Sequence, residues 1–152
     1  MDLELITKAQ IMLETEEGRV PYLYNDKTGA KFSLPDGALT IGIGYNIQEL
    51  GIPSRIIDDL FRHSLDITVE SLVRIFPGLF SYPDNRLLAL INLCFNIGGP
   101  RLKKFVKLIE AVEDEAWDIA SEEVLDSAYA KQVPARALRI SRMLRLDIFP
   151  YK

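Results

Sequence analysis

The run "LLALINLCFNI", Leu87 to Ile97, limits the possible fold more than any other part of the chain, because only Asn92 and Asn96 in it are polar. A helix that is apolar on every side must be enclosed, so this segment belongs at the centre of a helical lobe. Its two asparagines are four residues apart and share one face. They either satisfy buried backbone groups nearby or present amides to a polar ligand along a cleft.

The rest of the chain supplies cover for such a core. Residues 2 to 16 have an amphipathic helical period, with Asp2 as N-cap, apolar positions at Leu5, Ile6, Ala9, Met12 and Leu13, and an acidic end at Glu14, Glu16 and Glu17 stopped by Gly18. The period then changes. "PYLYND" reads as a short strand running into a turn, Asp36-Gly37 as a hairpin-turn pair, and "ALTIGIG" as the returning strand of a two- or three-stranded antiparallel element. After Gly51 the helical period resumes, with Pro53 suited to a first helical turn and Ile56, Ile57, Leu60 and Phe61 on one face. Further helices are expected near 66 to 76, 84 to 97, 101 to 112, 114 to 127 and 134 to 145, cut by Pro77-Gly78, Pro83-Asp84, Gly98-Gly99-Pro100 and Pro134. The class is α+β: one domain over 1–152, with a β-hairpin lobe at about 17–50 and a helical lobe from 1–16 and 53–152.

Composition excludes several functions. The 152 residues are 48% hydrophobic, enough for a core without staples, and the single cysteine, Cys94, forbids an internal disulfide. No apolar run reaches the roughly 18 residues of a membrane span, and "MDLELITKAQ" lacks the order of a secretory signal, so synthesis in a cytoplasm is expected. A net charge of −4 argues against nucleic acid as a partner. His63 and Cys94 make no metal cluster, and no cofactor is expected; "GIGYNIQELG" lacks the residues of a phosphate-binding turn. From Lys131 onward the chain is basic, and Arg139, Arg142 and Arg145 read either as a solvated helix face or as attraction to an anionic wall.

The carboxylates suggest chemistry. Two of them across a bond are the minimum equipment for hydrolysing a glycoside, one kept protonated for the leaving oxygen. Glu17, at a helix end, is placed for partial burial that would raise its pKa. Asp26, in the turn "YNDKTG", could be brought to the other side of a substrate, and Thr40 could hold a water with it.

Several ordered landmarks then coincide. Glu17-Gly18, Tyr22, Tyr24, Asp26 and Thr40-Ile41-Gly42-Ile43-Gly44 are followed by "ALINLCFNIG", Phe105, Trp117 with Ala120, and "QVPARA" at Gln132 to Ala137. In this order the chain resembles the phage-type lysozymes, the endolysin family best known from the T-even phages. The resemblance implies a lysozyme-like fold with a cleft between the lobes, and a muramidase cutting between N-acetylmuramic acid and N-acetylglucosamine by inversion. It implies Glu17 as general acid, Asp26 and Thr40 as the holders of the attacking water, Arg136 as the partner of Glu17, and Asn92 and Asn96 as cleft-lining substrate contacts. The arginine opposes the raised pKa that a general acid needs, so burial and substrate desolvation must offset it. A monomer acting on peptidoglycan strands in the periplasm is implied, encoded by a phage or prophage and dependent on a holin or virion delivery.

Two departures qualify the match. Thirteen residues separate Asp26 from Thr40, longer than is usual in the family, and they include Asp36, a rival for the water. Tyr45 stands where close relatives often have histidine. An inactive wall-binding or virion structural module on the same fold is the alternative, and a bacteriocin-like toxin domain a third.

Overall fold

The computed structural model describes every residue except 26 and 33–36. Helix α1 spans Leu3–Glu17, with Asp2 Oδ1 accepting from the Leu5 amide at 2.9 Å as the expected N-cap. Two short strands follow, β1 (Thr40–Ile41) and β2 (Tyr45–Asn46), then α2 (Ile47–Leu50), α3 (Ser54–Ile75) and a 3₁₀ turn at Leu79–Ser81. The remainder is α4 (Asp84–Ile97), α5 (Gly99–Leu102), α6 (Val106–Glu113), α7 (Trp117–Leu125), α8 (Ala128–Gln132) and α9 (Pro134–Leu146). Helices dominate and the described sheet is small and antiparallel, which is the α+β class.

The chain divides into two compact units, Met1–Glu17 with Ser64–Lys152, and Gly18–His63. In the larger unit α4 is the axis. Leu87 through Cys94 are all buried, and α4 packs against α1 and α9, with α9 also packed on α7. Each large apolar side chain so enclosed contributes about 1.5–3 kcal/mol. Edge-on packing of Tyr82 on Trp117, at 5.3 Å between ring centroids, extends this core. Arg86 stacks 4.5 Å over the Trp117 ring and donates to the Leu144 carbonyl, tying α4 to α9. Among the described residues no helix is long and apolar enough to cross a membrane.

The smaller unit differs from expectation in its pairing. "ALTIGIG" is not one strand: β1 ends at Ile41, and Gly42 and Gly44 take φ of +61° and +72°, turning the chain so that Thr40 pairs with Asn46 and Ile41 with Tyr45. Among the described residues of "PYLYND", Tyr24 forms an isolated antiparallel bridge to Lys31, and Asn25 Oδ1 accepts from the Lys27 amide. Asp36 of the expected Asp-Gly turn lies outside the described residues. Gly51 has φ +68°, and a Cβ there would meet the Pro21 carbonyl oxygen at 2.6 Å, so only glycine permits the Ile52 amide to donate to that carbonyl.

Helix boundaries also differ. Residues 54 to 75 form one helix rather than two, since "HSLDIT" contains neither glycine nor proline to interrupt it. Pro53 lies just before that helix, its carbonyl accepting from Ile56 and Ile57. The expected helix at 101 to 112 is split into α5 and α6, and a separate α8 precedes Pro134.

Candidate active site

The end of α1 sets the geometry of the larger unit's polar cluster. Met12 and Leu13 are buried against the core, and the adjacent carboxylates that end the helix, Glu16 and Glu17, point in different directions. Glu16 is directed inward, its side chain 4% exposed, whereas Glu17 keeps 40% of its side chain in solvent. On α9, Arg136 and Arg139 lie three apart on one face, so both reach the end of α1. Asn92 enters from α4, and Tyr151 closes the cluster from the carboxyl-terminal segment.

Arg136 is 6% exposed and anchored from two sides. Its Nε donates to Asn92 Oδ1 at 2.6 Å and its Nη2 to the Asn92 backbone carbonyl at 3.3 Å, while Nη1 donates to Glu17 Oε1 at 2.6 Å. A guanidinium can do this because its donors form a rigid planar fork. One oxygen of Glu17 is therefore fixed, and the other, Oε2, has no hydrogen bond from any described residue. A second chain of bonds lies beside the first. Asn92 Nδ2 donates to the Tyr151 hydroxyl at 2.9 Å, that hydroxyl donates to Glu16 Oε1, and Arg139 grips both oxygens of Glu16 at 2.8 and 2.7 Å.

The electrostatics follow from these contacts. Burial alone pushes the Glu16 carboxyl up, but the hydrogen bonds from Arg139 and Tyr151 and the charges of Arg139 and Arg136 outweigh it and hold the pKa below the ordinary value. The same pairing raises Arg139, and burial raises Tyr151. Tyr129, whose buried hydroxyl has no partner among the described residues, is pushed up to about 12 chiefly by burial.

The expected site residues fall out unevenly. Glu17 and Arg136 are joined as the resemblance implies. Asn92 is wholly buried and its amide is used at both ends, by Arg136 and Tyr151, so in this arrangement it holds the arginine. Arg136 is likewise enclosed, and its three contacts are with protein groups. Asn96, one turn further along α4, is exposed and its side chain has no hydrogen bond from the described residues. Thr40 is exposed on β1, opposite Asn46. Asp26 and its rival Asp36 lie outside the described residues. Glu16, Arg139 and Tyr151 were not singled out as a group. No local signal groups them, since Glu16 and Arg139 are 123 residues apart.

Comparison with known proteins bears on the whole chain. No family model matches it. Probable T4-type lysozyme 2 of Dictyostelium discoideum is 26% identical over 168 aligned residues, covering 90% of this chain and 92% of the relative. Probable T4-type lysozyme 1 of the same organism is 23% identical, with the same coverage. In sequence along nine-tenths of its length, and in its α+β class, the chain is T4-lysozyme-like.

Proposed function

We propose that the protein is a muramidase that hydrolyses the β-1,4 bond between N-acetylmuramic acid and N-acetylglucosamine in peptidoglycan, with inversion at the anomeric carbon. The observation that supports this most is Glu17: a carboxyl with Oε1 held by Arg136, Oε2 without a hydrogen bond from the described residues, and a side chain partly open to solvent. Such a group can give a proton to the leaving glycosidic oxygen without rotating away. Asp26, with Thr40, is assigned the water that attacks the opposite face of the sugar, as the sequence resemblance implies; Asp36 is the competing base. Water adds to the anomeric carbon, its proton passes to the aspartate, and the proton from Glu17 goes to the departing hydroxyl, so no cofactor is consumed. Asn96 contributes an open amide to the glycan, and Asn92 acts through Arg136.

The test compares clearing of outer-membrane-permeabilised cells by the parent and by Glu17→Gln, which keeps an acceptor for Arg136 but cannot act as the acid. Loss of clearing by about 10²-fold or more is expected from removing a general acid. Equal clearing by both would remove Glu17 from the mechanism. No clearing by the parent, together with cosedimentation on purified sacculi, would replace the hydrolase with a wall-binding module.

A further inference from the structure

The basic residues of α9 are largely committed to acids: Arg136 to Glu17, Arg139 to Glu16, and Arg145 to Asp118 and Glu122. The opposite holds where α5 meets α6. Arg101, Lys103, Lys104 and Lys107 are all exposed and none is ion-paired to a described residue. No acid occurs from Pro100 through Ile109, although the chain as a whole is net negative. A run of cations without ion pairs on an acidic protein raises the local positive potential where α5 meets α6.

The local surface gives that charge a shape. Lys103 and Arg74 of α3 border a recess of about 210 Å³ that also includes Ser71, Gly99 and Pro100, with no acid in its lining. The recess has a fixed floor, because α5 and α3 are in close approach: a Cβ on Gly99 would lie 2.9 Å from Ser71 Cβ. Arg74 has only a loose exposed pair, 3.5 Å to Glu70, which costs little to exchange for another anion. Next to Lys103, the pair Lys104 and Lys107 lines a shallower groove that also holds Glu123 and Asp126. Between those lysines Val106 is 57% exposed and Phe105 half-buried, so the order is basic, basic, apolar, apolar, basic.

We propose that this α5–α6 face is a docking surface for anionic phospholipid headgroups, with a phosphate group seated between Arg74 and Lys103. Lys104 and Lys107 lie at the headgroup layer and Val106 enters its boundary. Charge complementarity requires an anion, and the interleaved apolar side chain selects a lipid surface over a dissolved polyanion, which gains nothing from Val106. Each basic residue near an anionic leaflet strengthens partitioning about fivefold, so this cluster gives a reversible and salt-sensitive attachment, not an anchor. The attachment is independent of the hydrolase assignment.

The experiment is sedimentation of the full chain with phosphatidylcholine vesicles that contain or lack phosphatidylglycerol, at low and at raised salt. The parent is expected to bind only the anionic vesicles and to release as salt rises. Lys103→Gln with Lys104→Gln should weaken partitioning about 25-fold, two steps of about fivefold. Val106→Ser should weaken it further, while Lys131→Gln with Arg142→Gln, two exposed cations elsewhere, should change it less than about twofold if the local cluster rather than long-range field dominates. Absence of binding by the parent would overturn the proposal. So would equal losses in the two double variants, which would reduce the effect to net charge, or insensitivity to Val106→Ser combined with full displacement by soluble polyphosphate, which would make the ligand a dissolved polyanion. Circular dichroism of each variant separates lost binding from lost folding.

Discussion

Asn92→Leu tests whether the polar cluster under Glu17 acts as a unit. The substitution keeps the branched shape and the number of heavy atoms and removes both ends of the amide. Arg136 Nε then loses its 2.6 Å acceptor in a position that is 6% exposed, keeping the weaker bond to the backbone carbonyl and the pair with Glu17. A buried charge deprived of a partner costs about 3–5 kcal/mol, and the two retained contacts place the expected loss at the lower end, about 3 kcal/mol. Arg136→Met removes the charge instead. Glu17 rehydrates because it is partly exposed, a loss of about 1 kcal/mol, and Asn92 Oδ1 becomes a buried orphan at about 1–3 kcal/mol. In the double variant neither orphan exists and only the Glu17 loss of about 1 kcal/mol remains, so its destabilisation should fall short of the sum of the singles by about 4–6 kcal/mol. Urea unfolding followed by far-UV circular dichroism, with unchanged m values, reads all three. Additivity within about 0.5 kcal/mol would refute the coupled cluster.

Glu16→Gln should destabilise the protein at neutral pH, with a pH signature of its own. The folded-state pKa of Glu16 is lowered, so its contribution is present above the unfolded value, near about pH 4.3, and is lost as pH falls through the folded value. The stability gap between parent and variant should therefore be constant above about pH 5 and close in stronger acid; a gap that widens in acid would contradict the pairing with Arg139. Tyr129→Phe removes a buried hydroxyl that has no partner among the described residues, so stability should stay level or rise by up to about 1 kcal/mol, and a loss larger than that in thermal unfolding would show that the hydroxyl is engaged. Cys94 is buried, and burial pushes its thiol up to about 11, so alkylation by iodoacetamide at neutral pH should track global unfolding; rapid labelling of the folded protein would contradict its enclosure in α4.

Much of the helical unit was legible because its signals are local. Asp2 caps α1, Pro83 precedes α4, and the all-apolar run of α4 could only be central. The hairpin was misread because alternation in "ALTIGIG" mimics a strand, whereas the positive φ at Gly42 and Gly44 that ends it is a property of glycine that also fits close packing. The role of Asn92 stays open in the sequence for a different reason. A polar residue in an apolar helix needs a partner, and the sequence does not say whether that partner is a ligand or another side chain. Here the partners are Arg136, 44 residues away, and Tyr151, 59 away, distances at which no periodicity links residues. The pairing of Glu17 with Arg136 was available only through the ordered landmarks of the resemblance.

The central claim is that Glu17, steadied by Arg136, supplies the proton that releases the sugar. Purified sacculi incubated with the parent should yield glycan fragments ending in reducing N-acetylmuramic acid, detectable by mass spectrometry after borohydride reduction. Glu17→Gln, folded to the same urea midpoint, should yield such ends at a rate lower by about 10²-fold or more. Reducing muramic ends appearing at the parental rate from Glu17→Gln would contradict the account.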